Sequence, residues 1–182
     1  MHREVIRFLL ETKSSLPQYF ENTRVLEIGS RRIGDQPTVK QAFKNCEYIG
    51  VDISDGPGVD WIGKGHEFKS KELFDVVVSC ECFEHDPYWD KTVTNMINHL
   101  KWNGLLIFTC ASTGRPEHGT RKSSPHSSPA TVEIEGWADY YRNLTENDFK
   151  LIVPEFTNGT MVSGMWVNNE ASRDLYYRGW KR

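Results

Sequence analysis

The sequence alternates between short apolar runs and amphipathic or polar stretches. The run 74–79 is continuous and rich in β-branched residues, which predicts a strand buried on both faces of a sheet. Four further apolar runs predict strands, at 24–28, 48–52, 59–62 and 105–109. Strands that alternate with helices predict an open α/β fold with a mostly parallel sheet and right-handed crossovers.

Three stretches between these runs predict helices. Residues 2–11 place their apolar side chains on one stripe, and 37–43 predicts a short helix with proline in its first turn. Asp86 and Pro87 predict the start of a longer helix, with Asp86 as its N-cap. We expect that helix to end at Gly104.

The chain after residue 110 departs from this pattern. The polar segment 111–143, called the lid segment below, follows directly from the strand predicted at 105–109. A long insertion in a compact domain is uncommon and often functional, so it is either a surface loop or a lid over a binding site. The spacing in 145–148 resembles a capping box and predicts a short helix. Apolar residues at 151–153 and 161–167 predict a closing pair of strands.

Composition predicts one cytoplasmic globular domain spanning residues 1–182. That length suits a single domain, and no apolar run is long enough to span a membrane. The first residues lack the pattern of a secretory signal peptide, and the four cysteines predict reduced thiols. A net charge of −3 argues against a nucleic-acid partner held by bulk electrostatics. The oligomeric state is not predicted.

Glycines and acidic residues mark the first two strand ends as a ligand site. Gly29 and Gly34 have the spacing of a P-loop but lack its Lys and Ser/Thr, and Arg31 breaks the dinucleotide pattern G-x-G-x-x-G. Asp52 follows Gly29 at close to the spacing of about 20 residues at which a carboxylate binds ribose hydroxyls. Glu27 would repel a pyrophosphate and favour a cation. These residues together predict a cationic, nucleoside-type ligand.

The order of these motifs resembles that of the class I S-adenosylmethionine-dependent methyltransferases. The matching motifs are VLEIG at 25–29, GVDI at 50–53, FDVVVS at 74–79, EH at 84–85 and LKWNGLLIF at 100–108. The resemblance implies a three-layer, Rossmann-like methyltransferase sheet, mostly parallel with an antiparallel C-terminal strand. It also implies S-adenosylmethionine as the cofactor, bound across the strand ends.

Carried over residue by residue, the resemblance implies a cofactor site. Glu27 and Gly29 would contact the methionine part, Asp52 the ribose and Ile53 the adenine. The remaining positions expected at the cofactor are Ser30, Gly34, Lys64, Gly65, His66, Ser79, Cys80 and Glu81. The segment 64–66 departs from the family, which often has an acidic residue there, so its backbone or imidazole would recognise adenine instead.

Two histidines are the candidates for a catalytic general base. His85 follows the strand 74–79 and His118 lies in the lid segment, and histidine has the ordinary pKa nearest to neutrality. Cys80 and Cys82 together with His85 do not have the spacing of a common zinc site. We therefore expect no metal and interpret the two cysteines as small packing residues.

The sequence thus predicts methyl transfer to a small-molecule or sugar-like acceptor, with O-methylation suggested by the histidines. An NAD-dependent oxidoreductase is one alternative, because Asp52 would bind the ribose of NAD equally well, although Glu27 argues against it. A nucleoside-binding module without turnover is another, since Lys64 and the altered glycine turn depart from the family. We expect the lid segment to determine acceptor specificity.

Overall fold

The structure, a computed structural model, describes residues 2–182, the side chain of Ser163 excepted. Its strands are β1 (Arg24–Ile28), β2 (Glu47–Asp52), β3 (Trp61–Ile62), β4 (Phe74–Cys80), β5 (Leu100–Ala111), β6 (Met161–Asn169) and β7 (Asp174–Lys181). Its α-helices are α1 (Arg3–Ser15), α2 (Trp89–Asn98) and α3 (Glu146–Ile152).

The strands form one sheet in the order β3-β2-β1-β4-β5-β7-β6. β1 to β5 run parallel, whereas β7 is antiparallel to both of its neighbours, β5 and β6. This confirms the predicted sheet, mostly parallel with an antiparallel C-terminal strand. The strand order reverses between β1 and β4, so their carboxyl ends form the crevice in which ligands of such sheets bind.

Helices cover both faces of the sheet. On one face α1 packs through residues such as Phe8 into a core that includes Val76 of β4. On the other face α2 and α3 contribute Val93 and Phe149 to a core that includes Val77. Successive side chains of β4 therefore enter opposite cores, which is why its apolar run is continuous. No helix among the described residues is long and apolar enough to cross a membrane.

Two of the predicted helices differ at their boundaries. The short helix predicted at 37–43 is a single 3-10 turn over Val39–Ala42. α2 begins at Trp89 instead of Pro87, because the carboxylate of Asp86 accepts a hydrogen bond from the Tyr88 amide at 2.8 Å and holds a turn before the helix.

The predicted end of α2 at Gly104 is also wrong. The helix ends at Asn98, and its C-cap His99 leads directly into β5. Asn103 adopts a left-handed conformation with φ of 60°, and the pairing of β4 with β5 shifts register at this point. The polar turn signal at 103–104 therefore marks an irregularity inside a strand.

The strand predicted at 151–153 is wrong, because these residues end α3 or follow it. The capping box at its start is formed: the Asp148 carboxylate accepts a hydrogen bond from the Thr145 amide at 2.8 Å, and the Thr145 hydroxyl accepts one from the Asp148 amide. The helix that begins there continues to Ile152. The closing pair of strands is β6 and β7.

The lid segment packs against the carboxyl end of the sheet. Its regular structure beyond β5 is limited, within the part of the chain described, to 3-10 turns at Pro125–Ser127 and Thr131–Glu133. Trp137 is nevertheless buried, and the Arg142 amide donates a hydrogen bond to the Glu84 carbonyl at 2.9 Å. The segment is therefore attached to the turn that follows β4.

Candidate active site

A cavity of about 460 Å³ opens at the carboxyl ends of β1, β2 and β4. Its volume lies in the range of small-molecule sites. The lid segment forms part of its wall. The residues singled out from the sequence that line it are Glu27, Gly29, Ser30, Asp52, Ile53, Lys64, Gly65, Cys80, Glu81, His85 and His118.

Three residues predicted at the cofactor lie outside the cavity lining. Gly34 is on an exposed bend, and Ser79 is fully buried within β4. The ring of His66 packs against the ring of Tyr88, with 4.7 Å between their centroids. These three positions were carried over from the family resemblance, and the structure places Gly34 in an exposed turn and directs the side chains of His66 and Ser79 away from the cavity.

Gly29 determines the shape of the turn after β1. Its φ is +80°, and a Cβ at this position would lie 2.8 Å from the Cβ of Cys82. The amides of Gly29 and Ser30 both donate hydrogen bonds to the carbonyl of Val51, at 2.8 and 3.1 Å. The turn is thus tied to β2, and its backbone lines the cavity with no side chain in the way of a ligand.

Asp52 joins the turns that follow β1 and β2. Its carboxylate accepts hydrogen bonds from the Arg31 amide at 2.9 Å and the Ser54 amide at 3.4 Å. Burial raises the pKa of Asp52, while these two amides favour its charged form. Asp52 therefore holds the cavity wall together in addition to presenting a carboxylate there.

Glu27 is a buried carboxylate at the cavity wall, only 6% exposed. The Tyr48 hydroxyl donates a hydrogen bond to it at 2.7 Å. Burial raises the pKa of Glu27 to about 8, and the nearby charge of Asp52 contributes to the rise. A cation in the cavity would offset this cost, so the site suits the sulfonium and ammonium groups of S-adenosylmethionine.

The N-terminus reaches the same cavity through His2, which sequence analysis did not identify. Its Nε2 donates a hydrogen bond to Glu81 at 3.1 Å and lies 2.8 Å from a carboxylate oxygen of Asp174. Hydrogen bonds to Asp174 and Glu81 raise the pKa of His2 to about 10. The Thr109 hydroxyl also donates to Glu81, at 2.8 Å. His2, Glu81 and Asp174 come from distant parts of the chain, so no local sequence pattern links them.

A second polar cluster lies where the lid segment contacts the turn after β4. The ring centroids of His85 and His118 are 5.1 Å apart, and that of Tyr141 is 5.0 Å from His118. Glu84, adjacent to His85, is fully buried. Burial lowers the pKa of His85 to about 3 and raises the pKa of Glu84. The structure thus brings the two predicted catalytic histidines together.

A glycine allows this close approach of the lid segment. Gly119 has φ of +67°, and a Cβ there would lie 2.6 Å from Cε1 of His85. The neighbouring His118 donates a hydrogen bond from Nδ1 to the Pro116 carbonyl at 3.0 Å. A neutral His118 ring therefore carries its free lone pair on Nε2.

Sequence analysis did not assign several other residues of the cavity wall. Those in the lid segment include Arg115, His126, Thr131 and Trp137. Arg115 donates a hydrogen bond to the Ser172 carbonyl at 2.5 Å and lies 3.6 Å from Asp174. Only the cluster of polar residues at 115–119 indicated that this part of the lid segment faces a ligand.

The sheet order, the glycine turn and the acidic residue at the end of β2 define a class I, Rossmann-like, S-adenosylmethionine-dependent methyltransferase. The chain belongs to the methyltransferase domain family, whose model matches residues 1–144. S-adenosylmethionine is therefore its cofactor, and the NAD-dependent alternative is dropped. A comparison with curated proteins finds no match.

Solved structures of methyltransferases share this fold. The N-methyltransferase NodS of Bradyrhizobium japonicum WM9 is 17% identical, with a TM-score of 0.58 over 98% of this chain and 95% of that one. The phosphoethanolamine N-methyltransferase 2 of Haemonchus contortus, in complex with S-adenosylmethionine, is 13% identical, with a TM-score of 0.63 over 96% and 52%. The 1,6-didemethyltoxoflavin-N1-methyltransferase of Burkholderia thailandensis is 15% identical, with a TM-score of 0.60 over 95% and 76%. These likenesses concern the fold.

Proposed function

We propose that this methyltransferase transfers a methyl group to a hydroxyl of a small-molecule or sugar-like acceptor. The observation that carries the proposal is the position of His85 and His118, which line the same cavity as the glycine turn at Gly29. In this proposal the acceptor hydroxyl lies at the histidines. A cytoplasmic location and the absence of a nucleic-acid partner, both expected from the sequence, are part of the proposal.

In this proposal, the half of the cavity formed by the ends of β1 and β2 binds and orients the cofactor. S-adenosylmethionine supplies an activated methyl group on a sulfonium centre. Glu27 provides the negative charge that such a cation requires, and the backbone at Gly29 allows close approach. Asp52 is the candidate acceptor of hydrogen bonds from the ribose. Orientation of two reactants in one cavity supplies on the order of 7–11 kcal/mol in favourable cases.

The acceptor half of the cavity supplies polar groups. In a neutral His118 ring Nε2 is unprotonated, so it can accept a hydrogen bond from the reacting hydroxyl. His85, with its pKa lowered to about 3, stays neutral and is a weak base. His118 is therefore the better candidate for direct proton acceptance. The lid segment covers this side, with Trp137 buried at the wall.

The test is to identify the methylated atom. Purified protein is incubated with S-adenosylmethionine labelled at the methyl carbon and with a panel of polyhydroxylated acceptors and their amine analogues. We expect labelled methyl on oxygen and equimolar S-adenosylhomocysteine, detected by mass spectrometry and NMR. Label on nitrogen or carbon alone would contradict O-methylation while leaving methyl transfer intact. A control with Asp55→Asn, an exposed residue that does not line the cavity, should behave as the wild type.

A further inference from the structure

We propose that Glu84, His85 and His118 bind a divalent transition-metal ion at the lid-segment wall of the cavity. One nitrogen of each histidine and one carboxylate oxygen of Glu84 lie within 4.8 Å of one another. A tetrahedral ion about 2.1 Å from its ligands separates them by about 3.4 Å. Binding of an ion would draw the three atoms together to about that separation.

The burial of Glu84 is the second observation. Its side chain is fully buried, and neither carboxylate oxygen forms a hydrogen bond with any residue between 2 and 182. A buried carboxylate without a partner is costly, and a cation is the partner that compensates most strongly.

The histidines have the form that metal ligation requires. The Nδ1–H of His118 is held by the Pro116 carbonyl, which leaves Nε2 as the donor atom, and metal-binding histidines are commonly oriented in this way. Nδ1 of His85 is buried, and within the described chain it has no hydrogen-bond partner. Both rings place a nitrogen in the group of three ligand atoms that lie within 4.8 Å of one another.

The ligand set indicates which ions fit. Two imidazoles and one carboxylate suit Zn²⁺, Fe²⁺ and Co²⁺, whereas Mg²⁺ and Ca²⁺ prefer oxygen ligands alone. Three protein ligands leave an open coordination position, as in catalytic zinc sites. Because His85 and His118 line the cavity, an ion held by them would lie at its wall.

The ion would have two consequences, both resting on the proposed function. An acceptor hydroxyl bound at the open position loses its proton to water more readily, since the cation lowers its pKa. The new bond then forms between that oxygen and the methyl carbon as the carbon–sulfur bond breaks, and S-adenosylhomocysteine leaves. The ion would also link the lid segment, through His118, to the turn after β4. The histidines would then act through the metal, not as free bases.

The test measures metal binding directly. Protein stripped with EDTA and desalted is titrated with Zn²⁺ by calorimetry, with Co²⁺ by visible absorption, and with Mg²⁺ for comparison. We expect one Zn²⁺ per chain, a Co²⁺ spectrum of low coordination number, and no Mg²⁺ binding at equal concentration. Loss of an outer-shell group weakens metal binding about 10- to 100-fold, so His118→Ala should weaken it by at least about 100-fold.

Two further variants keep the result interpretable. Glu84→Gln should also abolish binding, and because it changes the core its fold is checked by S-adenosylhomocysteine affinity. Lys122→Ala changes an exposed residue of the lid segment that does not line the cavity, and it should bind Zn²⁺ as the wild type does. Equal Zn²⁺ affinity in His118→Ala and Lys122→Ala overturns the proposal.

The two proposals fail separately. Methyl transfer to oxygen that persists in EDTA, with no Zn²⁺ bound, overturns the metal site and leaves the histidines as direct participants. Stoichiometric Zn²⁺ binding lost in His118→Ala supports the metal site even where every acceptor in the panel is methylated on nitrogen.

Discussion

At the scale of single residues, the electrostatics of the cavity depend on Glu27. It is buried beside Asp52, receives a hydrogen bond from Tyr48, and lies within the electrostatic range of Lys40. Burial dominates, so the pKa of Glu27 rises to about 8 and the side chain is mostly protonated near neutral pH. A bound cation favours its ionised form, which couples cofactor binding to proton release.

This coupling predicts a pH-dependent affinity for S-adenosylmethionine. Between pH 6.5 and 8.5 the affinity should rise, by up to about tenfold per pH unit below the pKa, because binding requires the ionised carboxylate. In Glu27→Gln the affinity should be lower and flat over this range, as measured by calorimetry. Glu47→Gln, which alters an exposed carboxylate, is the control and should keep the wild-type slope. A wild-type affinity that does not change with pH would contradict the role of Glu27.

At the scale of elements, the turn after β1 contains two glycines with positive φ, and one of them also lies in close contact with a neighbouring segment. Gly29 and Gly34 both have positive φ, at +80° and +57°. They differ in their surroundings, because a Cβ at Gly29 would meet Cys82 at 2.8 Å whereas one at Gly34 would meet nothing within 4 Å. Substitution of Gly34 therefore tests backbone strain alone, whereas substitution of Gly29 tests backbone strain together with steric contact.

Alanine at each position should give different losses of stability. Gly34→Ala should lower the free energy of unfolding by about 1–2 kcal/mol through backbone strain alone. Gly29→Ala should lose a further 1–3 kcal/mol, roughly, from overpacking against Cys82. Urea unfolding followed by circular dichroism measures both. Equal losses of stability in the two variants would contradict a steric contact between position 29 and Cys82.

At the scale of the whole molecule, His2 ties the N-terminus to the end of the sheet. It is surrounded by Glu4, Glu81 and Asp174, and its pKa is raised to about 10. A raised histidine pKa contributes stability that is fully present below the unfolded-state pKa near 6.5 and is lost as the pH rises through 10.

His2→Gln should therefore destabilise the protein in a pH-dependent way. We expect a loss of about 1 kcal/mol at pH 6, since a partly exposed ion pair contributes little more than that. The difference from the wild type should shrink steadily and vanish above pH 10. Thermal unfolding across this pH range measures it, with His126→Gln as an exposed control. A stability difference between His2→Gln and the wild type that grows as the pH rises would contradict the assignment of an ion pair to His2.

Local patterns account for much of the sheet and for two residues of the cavity wall, Gly29 and Asp52. The β-branched run of β4 enters two cores, and Gly29 and Asp52 lie at strand ends, so periodicity and spacing identified them. Short apolar segments were ambiguous. Residues 151–153 have the same apolar signal in a strand or a helix, and the capping box at Thr145 decides for the helix.

The sequence by itself determined the class of fold and the cofactor, because the alternation of elements and the order of short motifs along the chain carry both. Only the tertiary structure decided that His118 of the lid segment meets Glu84 and His85, and that His2 reaches Asp174. Such contacts join residues far apart in the chain, and side-chain direction and burial, which the fold alone sets, determine their chemistry.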